Sequence, residues 1–387
     1  MNRVYLLGAG ASRELRFNIS TLDYPNGLKT DKFMEYGPLS SGFFFDSNKL
    51  SELVNKRLPL VPSLTIDNDL IEYISQYYKK QFGETINKED ILNNEGISRK
   101  INIEKLYLDI EEAVIEADKQ KTEKQSIDEK IVKSHLIKSA LLEYIYESLS
   151  LACYYCYSIY HRILASYILN YGSDVISFNW DILLDEAMND TGKWNYEDGY
   201  GIKFKDVIYK YKENEDSAYQ NKSNNLLLKA HGSINWYSRT SGENGLYLFM
   251  PLKRNLRGGA MDTLRVYEYD NDGNQYFTSI VPPGSKREAY SEVWLQIKET
   301  LENADEIITI GFSFNNNDEH IWKKLQGFNF KKNLKISLVN PDADRLIGMY
   351  REIFRTDDIS KIHNTLGEYC EWIVKQEKMG ELASILN

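Results

Sequence analysis

An α/β fold, doubly wound around a mainly parallel sheet, is predicted by three features of the 387-residue sequence. Five short apolar, β-branched runs lack the alternation of half-exposed strands, which suits a sheet covered on both faces. Each run ends in small or polar residues. A long segment of helical periodicity separates the first run from the second.

The runs are Arg3–Leu7, Asp174–Phe178, Leu226–Ala230, Glu306–Ile310 and Lys335–Val339. Their followers are Gly8-Ala9-Gly10, Asn179-Trp180-Asp181, His231-Gly232-Ser233, Gly311-Phe312-Ser313 and Asn340-Pro341-Asp342. In open α/β sheets, ligands bind beyond the carboxyl ends of the strands, where the winding reverses. The pattern therefore predicts five loops around one crevice.

From Gly96 to Gly172 no glycine or proline intervenes. Ile103, Leu106, Ile110, Ala113 and Ala117 recur at helical spacing behind a cap at Asn102. Ser126-Ile127-Asp128-Glu129 fits a capping box, and the stripe from Ile131 to Leu149 continues toward Leu169, with Gly172 as its stop. Residues 46–169 are expected to form a helical lobe inserted into a core of residues 1–45 and 170–345. A helical extension is expected over 346–387. Asp270-Asn271-Asp272-Gly273-Asn274, between Leu264–Tyr269 and Gln275–Val281, reads as a β-hairpin.

Composition narrows the function. Forty-seven basic against 57 acidic residues give a net charge of −10. A nucleic-acid binder neutralises phosphates with a basic face, so sequence-specific nucleic-acid binding is not expected. No stretch approaches the ~20 apolar residues of a membrane span. The start reads as a strand and a glycine turn rather than a signal peptide. Three cysteines are too few for a disulfide framework, and a cytoplasmic location is expected.

Within the loops, the glycines of Gly8–Ser12 allow backbone to approach a diphosphate, or they simply make a tight turn. Arg13 stands where a dehydrogenase fingerprint has its third glycine. Asn179 offers a donor and an acceptor to a ribose hydroxyl or a water. Asp181 either binds a sugar hydroxyl or forms an Asx turn at the helix that follows. His231 is the strongest base candidate, because it ends a core strand and is followed by a glycine. The other histidines, His135, His161, His320 and His363, fall in helical or tail contexts. Cys153 and Cys156 have no second cysteine pair with which to build a zinc site, so no metal is expected.

Taken together, these motifs resemble the sirtuin-like superfamily in its divergent bacterial branch of anti-phage defence. The resemblance rests on Gly8-Ala9-Gly10-Ala11-Ser12, Ser177-Phe178-Asn179-Trp180-Asp181 and Leu228-Lys229-Ala230-His231-Gly232-Ser233-Ile234-Asn235-Trp236. It continues through Val281-Pro282-Pro283, Ala304–Phe314 with Asp318, and Val339-Asn340-Pro341-Asp342. It covers residues 1 to about 345, and the lobe only loosely.

The resemblance implies a Rossmann-like core that binds NAD at the strand ends. Gly8, Ala9, Gly10, Ala11 and Ser12 would hold the diphosphate, Asn179 and Asp181 would lie at the nicotinamide ribose, and His231 would be the base. Gly311, Ser313 and Asn340 would line the adenosine side. Two departures matter. Where deacylases carry a zinc ribbon with two C-x-x-C pairs, this chain has the Asp270–Asn274 hairpin and no cysteine. The usual glycine and proline after the first turn are replaced by Arg13–Ser20, with Pro25-Asn26-Gly27 arriving late. The resemblance therefore implies an NAD+ glycohydrolase acting in abortive infection, controlled by homo-oligomerisation or by a partner such as a HerA-type ATPase. The alternatives are a protein deacylase or ADP-ribosyltransferase, and a non-catalytic nucleotide-sensing subunit.

Overall fold

The computed structural model describes residues 1–13, 16–17, 41–57, 61, 63–120, 129–209, 224–239, 245–250, 266–270, 272–282, 291–313 and 319–377. Pro25–Gly27, Ser126–Asp128 of the capping box, Asn271, Pro283, Phe314 and Asp318 lie outside the described residues.

In chain order, the strands begin with β1 (Arg3–Leu7), followed by the two-residue pair β2 (Arg16–Phe17) and β3 (Cys156–Tyr157). Next come β4 (Asp174–Ser177), β5 (Asp206–Tyr209), β6 (Leu227–Lys229), β7 (Trp236–Arg239) and β8 (Tyr247–Met250). The last are β9 (Tyr267–Tyr269), β10 (Gln275–Thr278), β11 (Glu306–Ile310), β12 (Lys335–Val339) and β13 (Ile359–His363).

Six of these make one sheet in the order β13-β12-β11-β1-β4-β6, parallel throughout. Counted along the chain, the order is 3-2-1-4-5-6, the doubly wound arrangement that reverses between its first and fourth strands. Every residue of β11 is buried, so both faces are covered. The five predicted runs are β1, β4, β6, β11 and β12, the four inner strands and the edge strand β6. The sixth corrects the expectation of a purely helical tail. Ile-Ser-Lys-Ile-His forms the edge strand beside β12, and its half-exposed residues carry no buried-strand signature.

The lobe contains α1 (Phe43–Arg57), α2 (Asn68–Phe82), α3 (Lys88–Asn93), α4 (Glu95–Ser98), α5 (Ile103–Gln120) and α6 (Glu129–Ser150). Asn102 caps α5 through Oδ1, which accepts from Lys105 N at 2.9 Å. The stripe then changes allegiance. The helix α7 (Ile159–Tyr171), capped by Ser158 and stopped by left-handed Gly172, packs in the core of the six-stranded sheet rather than in the lobe. Its apolar residues continue the stripe of α6, but a π-helical turn at Leu151–Tyr155 and β3 interrupt the helix between the two.

The remaining helices are α8 (Leu183–Asn189), α9 (Tyr196–Gly199), α10 (Ser291–Glu302), α11 (Glu319–Gln326), α12 (Ala343–Phe354) and α13 (Leu366–Glu377). The predicted hairpin is the β9–β10 pair, with Gly273 at φ 80° in its turn. It belongs to a larger mixed sheet, β5-β8-β7-β10-β9. That sheet shares a second core with the lobe, through Tyr107, Leu141 and Ile145 on the lobe and Tyr237, Phe249 and Tyr276 on the sheet. The described residues therefore form two cores. The turn after β4 lies on their seam, with Phe178 in the first and Trp180 and Ile182 in the second. No helix among the described residues is long and apolar enough to cross a membrane.

Candidate functional site

The site forms where the sheet reverses, at the carboxyl ends of β1 and β11. Gly8 N donates to Ile310 O at 3.0 Å, and Gly10 N donates to Gly311 O at 3.1 Å. This approach needs glycine on both sides. Gly311 sits at φ 63°, and a Cβ there would lie 2.3 Å from Ala11 N. The turn after β1 is a single 3-10 turn, Ala9–Ser12. Its Gly8, Gly10 and Ala11 amides are already donated to protein carbonyls, so the glycines serve first to seat β1 against β11.

Three loops are tied together across this point. Asn179 Nδ2 donates to Gly8 O and to Ser12 Oγ, each at 3.0 Å. A carbonyl oxygen only accepts, so the amide nitrogen must face Gly8, which leaves Oδ1 without a partner among the described residues. Ser12 Oγ in turn donates to Asp181 Oδ2 at 2.8 Å. Asp181 Oδ1 accepts from Leu183 N at 3.0 Å, which is the Asx turn anticipated from sequence. One carboxylate thus starts α8 and fixes Ser12.

His231 follows β6 and is buried. Its carbonyl accepts from Val281 N at 3.0 Å, and Gly232 behind it has φ 76°. The imidazole Nε2 makes no hydrogen bond among the described residues, so the ring does not serve as a donor to backbone. It packs against Phe178, with ring centroids 5.6 Å apart, and Phe178 stacks on Phe312 at 4.4 Å and 16°. His320, expected in a merely helical context, starts α11 with its ring 6.0 Å from that of His231. Burial, with help from His320 and Lys324, lowers the His231 imidazole to about 3. It is therefore neutral at pH 7, with one ring nitrogen free to accept a proton.

These groups line one cavity of about 670 Å³, within the range of small-molecule sites. Gly8, Ala9, Gly10, Asn179, Asp181, His231, Gly311, Ser313 and Asn340 all border it. Of the predicted site residues, Ala11 and Ser12 lie behind the wall, both buried. Asn340 Oδ1 accepts from Asp342 N at 2.9 Å and shapes the loop after β12. Cys153 is buried in the lobe core.

The cavity also has walls that the sequence reading missed. Arg13 borders it beside the glycine turn, and Asn364 and Thr365 of the loop after β13 and Leu366 at the start of α13 border it as well. The lobe contributes Phe43, Glu95, Arg99, Ile103 and Glu104. Arg99 forks onto buried Asp46 at 3.0 and 3.1 Å and donates to Ser41 O at 2.9 Å. His320 had a usable signal, since the helix after a fourth strand begins at the crevice in a doubly wound sheet. The lobe residues had none, because their distance from the loops along the chain hides their proximity.

No family model matches the chain, and no curated protein is similar to it. Among solved structures it is similar to a Sir2 homologue–NAD complex at 13% identity and TM-score 0.38, over 100% of this chain and 91% of that one. It is also similar to a mutant Sir2 homologue–ADP-ribose complex, at 13% identity and TM-score 0.37 over 100% and 93% of the two chains. A third is Sir2 bound to acetylated peptide, at 11% identity and TM-score 0.36 over 98% and 94%. At such identities and scores, residue roles rest on this chain's own geometry.

Proposed function

We propose that the protein is an NAD+ glycohydrolase, which releases nicotinamide and ADP-ribose. The observation that carries this reading is the buried, unpartnered His231 Nε2 on the same cavity as Asn179 and the β1–β11 glycine crevice. A doubly wound sheet offers a dinucleotide this position. Gly8, Ala9, Gly10 and Arg13 would face the diphosphate, Asn179 and Asp181 the nicotinamide ribose, and Gly311, Ser313 and Asn340 the adenosine side.

In the reaction, the C–N bond between ribose and nicotinamide breaks, and its electron pair neutralises the pyridinium. The leaving group therefore needs no acid. Water adds to the ribose carbon through an oxocarbenium-like transition state, and its proton passes to His231 Nε2 and then to solvent. Asn179, with both amide hydrogens held by Gly8 and Ser12, presents Oδ1 to the water or to a ribose hydroxyl. An anionic diphosphate entering the cavity raises the imidazole toward its working range.

The interval between His231 and β11 has no cysteine. Its described residues supply strands β7 to β10 of the mixed sheet, which favours hydrolysis of NAD itself over protein deacylation. An enzyme that empties a cell of NAD suits a defence effector and must be restrained, by self-assembly or by a partner of the HerA ATPase type. Nicotinamide release by purified wild type, His231→Ala and Asn179→Ala proteins tests the chemistry. A loss of roughly 10²–10⁴-fold in the His231 variant is expected, with folding retained. Wild-type rates in both variants would refute the mechanism.

A further inference from the structure

Beneath the floor of the cavity lies a charged group that this chemistry does not use. Lys229 ends β6, two residues before His231, and is 1% exposed. Its Nζ donates to the main-chain carbonyl of Asp181 and lies 3.4 Å from Asp185 Oδ2. Asp185, equally buried, accepts from the Tyr200 hydroxyl at 2.5 Å, and Asn235 Nδ2 donates to that hydroxyl at 3.1 Å. Burial raises the Asp185 carboxyl, against the opposing pull of Lys229 and Tyr200.

A buried ion pair is a poor source of stability, because desolvating two charges costs about as much as their attraction returns. Its value lies in what it fixes. The turn after β4 has no partner strand of its own. The carbonyl of Trp180 accepts from Ile234 N at 3.0 Å, and the next carbonyl, Asp181, accepts from Lys229. Residues 229–234 thus grip two successive carbonyls of the turn from below, while Asn179 and Asp181 engage Gly8 and Ser12 above.

We propose that Lys229 is a positioning residue: its ammonium, by holding the Asp181 carbonyl, sets Asn179 and Asp181 in register with the glycine turn. The proposal rests on the NAD-hydrolase reading and names the group that orders its ribose-facing turn. The rival role is simple neutralisation of Asp185.

Three variants separate the two. Lys229→Met/Asp185→Asn removes the ammonium and the carboxylate charge together. Neutralisation alone predicts that this pair regains both thermal stability and turnover. Positioning predicts regained stability, unchanged KM for NAD and a kcat lower on the order of 10²-fold. It also predicts faster amide exchange across residues 178–184, with β4 and β6 still protected. Asp185→Asn alone keeps Lys229 on the carbonyl and should retain most of kcat. Lys229→Met alone should lose both stability and kcat.

A double variant with wild-type kcat and wild-type exchange would overturn the proposal. So would an Asp185→Asn protein as slow as the double variant. The exchange measurement needs no turnover. A wild-type protein that releases no nicotinamide even under activating conditions would refute the hydrolase reading, while exchange would still decide the role of Lys229.

Discussion

The two walls of the cavity are built by different means. On the sheet side, backbone meets backbone: Gly8 and Gly10 bond to the end of β11, Phe178 N bonds to Leu7 O, and Ile234 N bonds to Trp180 O. On the lobe side, side chains do the joining, chiefly the Arg99 fork onto Asp46 and Ser41 and the Tyr107–Trp180 edge contact. Backbone joints fix atoms closely and tolerate little change in the residues that make them. Side-chain joints are more adaptable. The difference teaches that the strand-end loops carrying His231 and Asn179 are seated on backbone joints, while the lobe closes the opposite wall of the cavity through side chains.

Three substitutions or conditions break or sharpen this contrast. The largest effect is expected at Gly311→Val. Its Cβ would collide with the Gly10–Ala11 backbone in a left-handed conformation. A loss of about 4 kcal/mol in denaturant unfolding is expected, from overpacking plus strain. A loss under 1 kcal/mol would mean that the β1–β11 seam yields more readily than its geometry implies.

Arg99→Met should cost less, about 2 kcal/mol, because it removes charge-assisted bonds around one buried carboxylate, Asp46. Steady-state kinetics should then show a higher KM for NAD with kcat nearly unchanged, the mark of a cover rather than a reacting group. A fall in kcat at constant KM would place the lobe in the chemistry.

The smallest effect, over one pH unit, is acid sensitivity. His231 and His161 are both buried and held below the usual imidazole value of 6.5. The unfolded chain therefore binds protons that the folded one refuses. Stability is full above pH 6.5 and is lost as pH falls below it, by about 1.4 kcal/mol per pH unit for each such histidine. Both belong to the sheet side, so amide exchange should loosen there before the lobe. Substituting His231 by Asn should flatten the melting-temperature slope between pH 6.5 and 5; an unchanged slope would contradict the burial assigned to it. In the same window, kcat/KM of the wild type should show no titration near 6.5.

Much of the sheet was legible in the sequence. Val4–Leu7, Val175–Ile176 and Ile307–Ile308 are apolar at consecutive positions because both faces of the sheet are covered, and this burial is a property of single residues. The site loops were legible for the same reason, since each follows such a run. The edge strand β13 was not, because half-exposed Ser360 and Lys361 look like any polar loop. The division of the helical stripe was not legible either. Leu149 and Ile163 are equally apolar, yet one packs with the lobe and the other with the sheet.

From composition and order alone come the parallel sheet, the glycine turn after β1 and the candidate base, because each is dictated by residues close together in the chain. Tertiary structure alone decided the rest. It brought His320 to His231, laid the lobe over the cavity, and put the Lys229 ammonium under the Asp181 carbonyl. Those contacts join distant segments, and their strength comes from removing charge and ring from water, which no local pattern records.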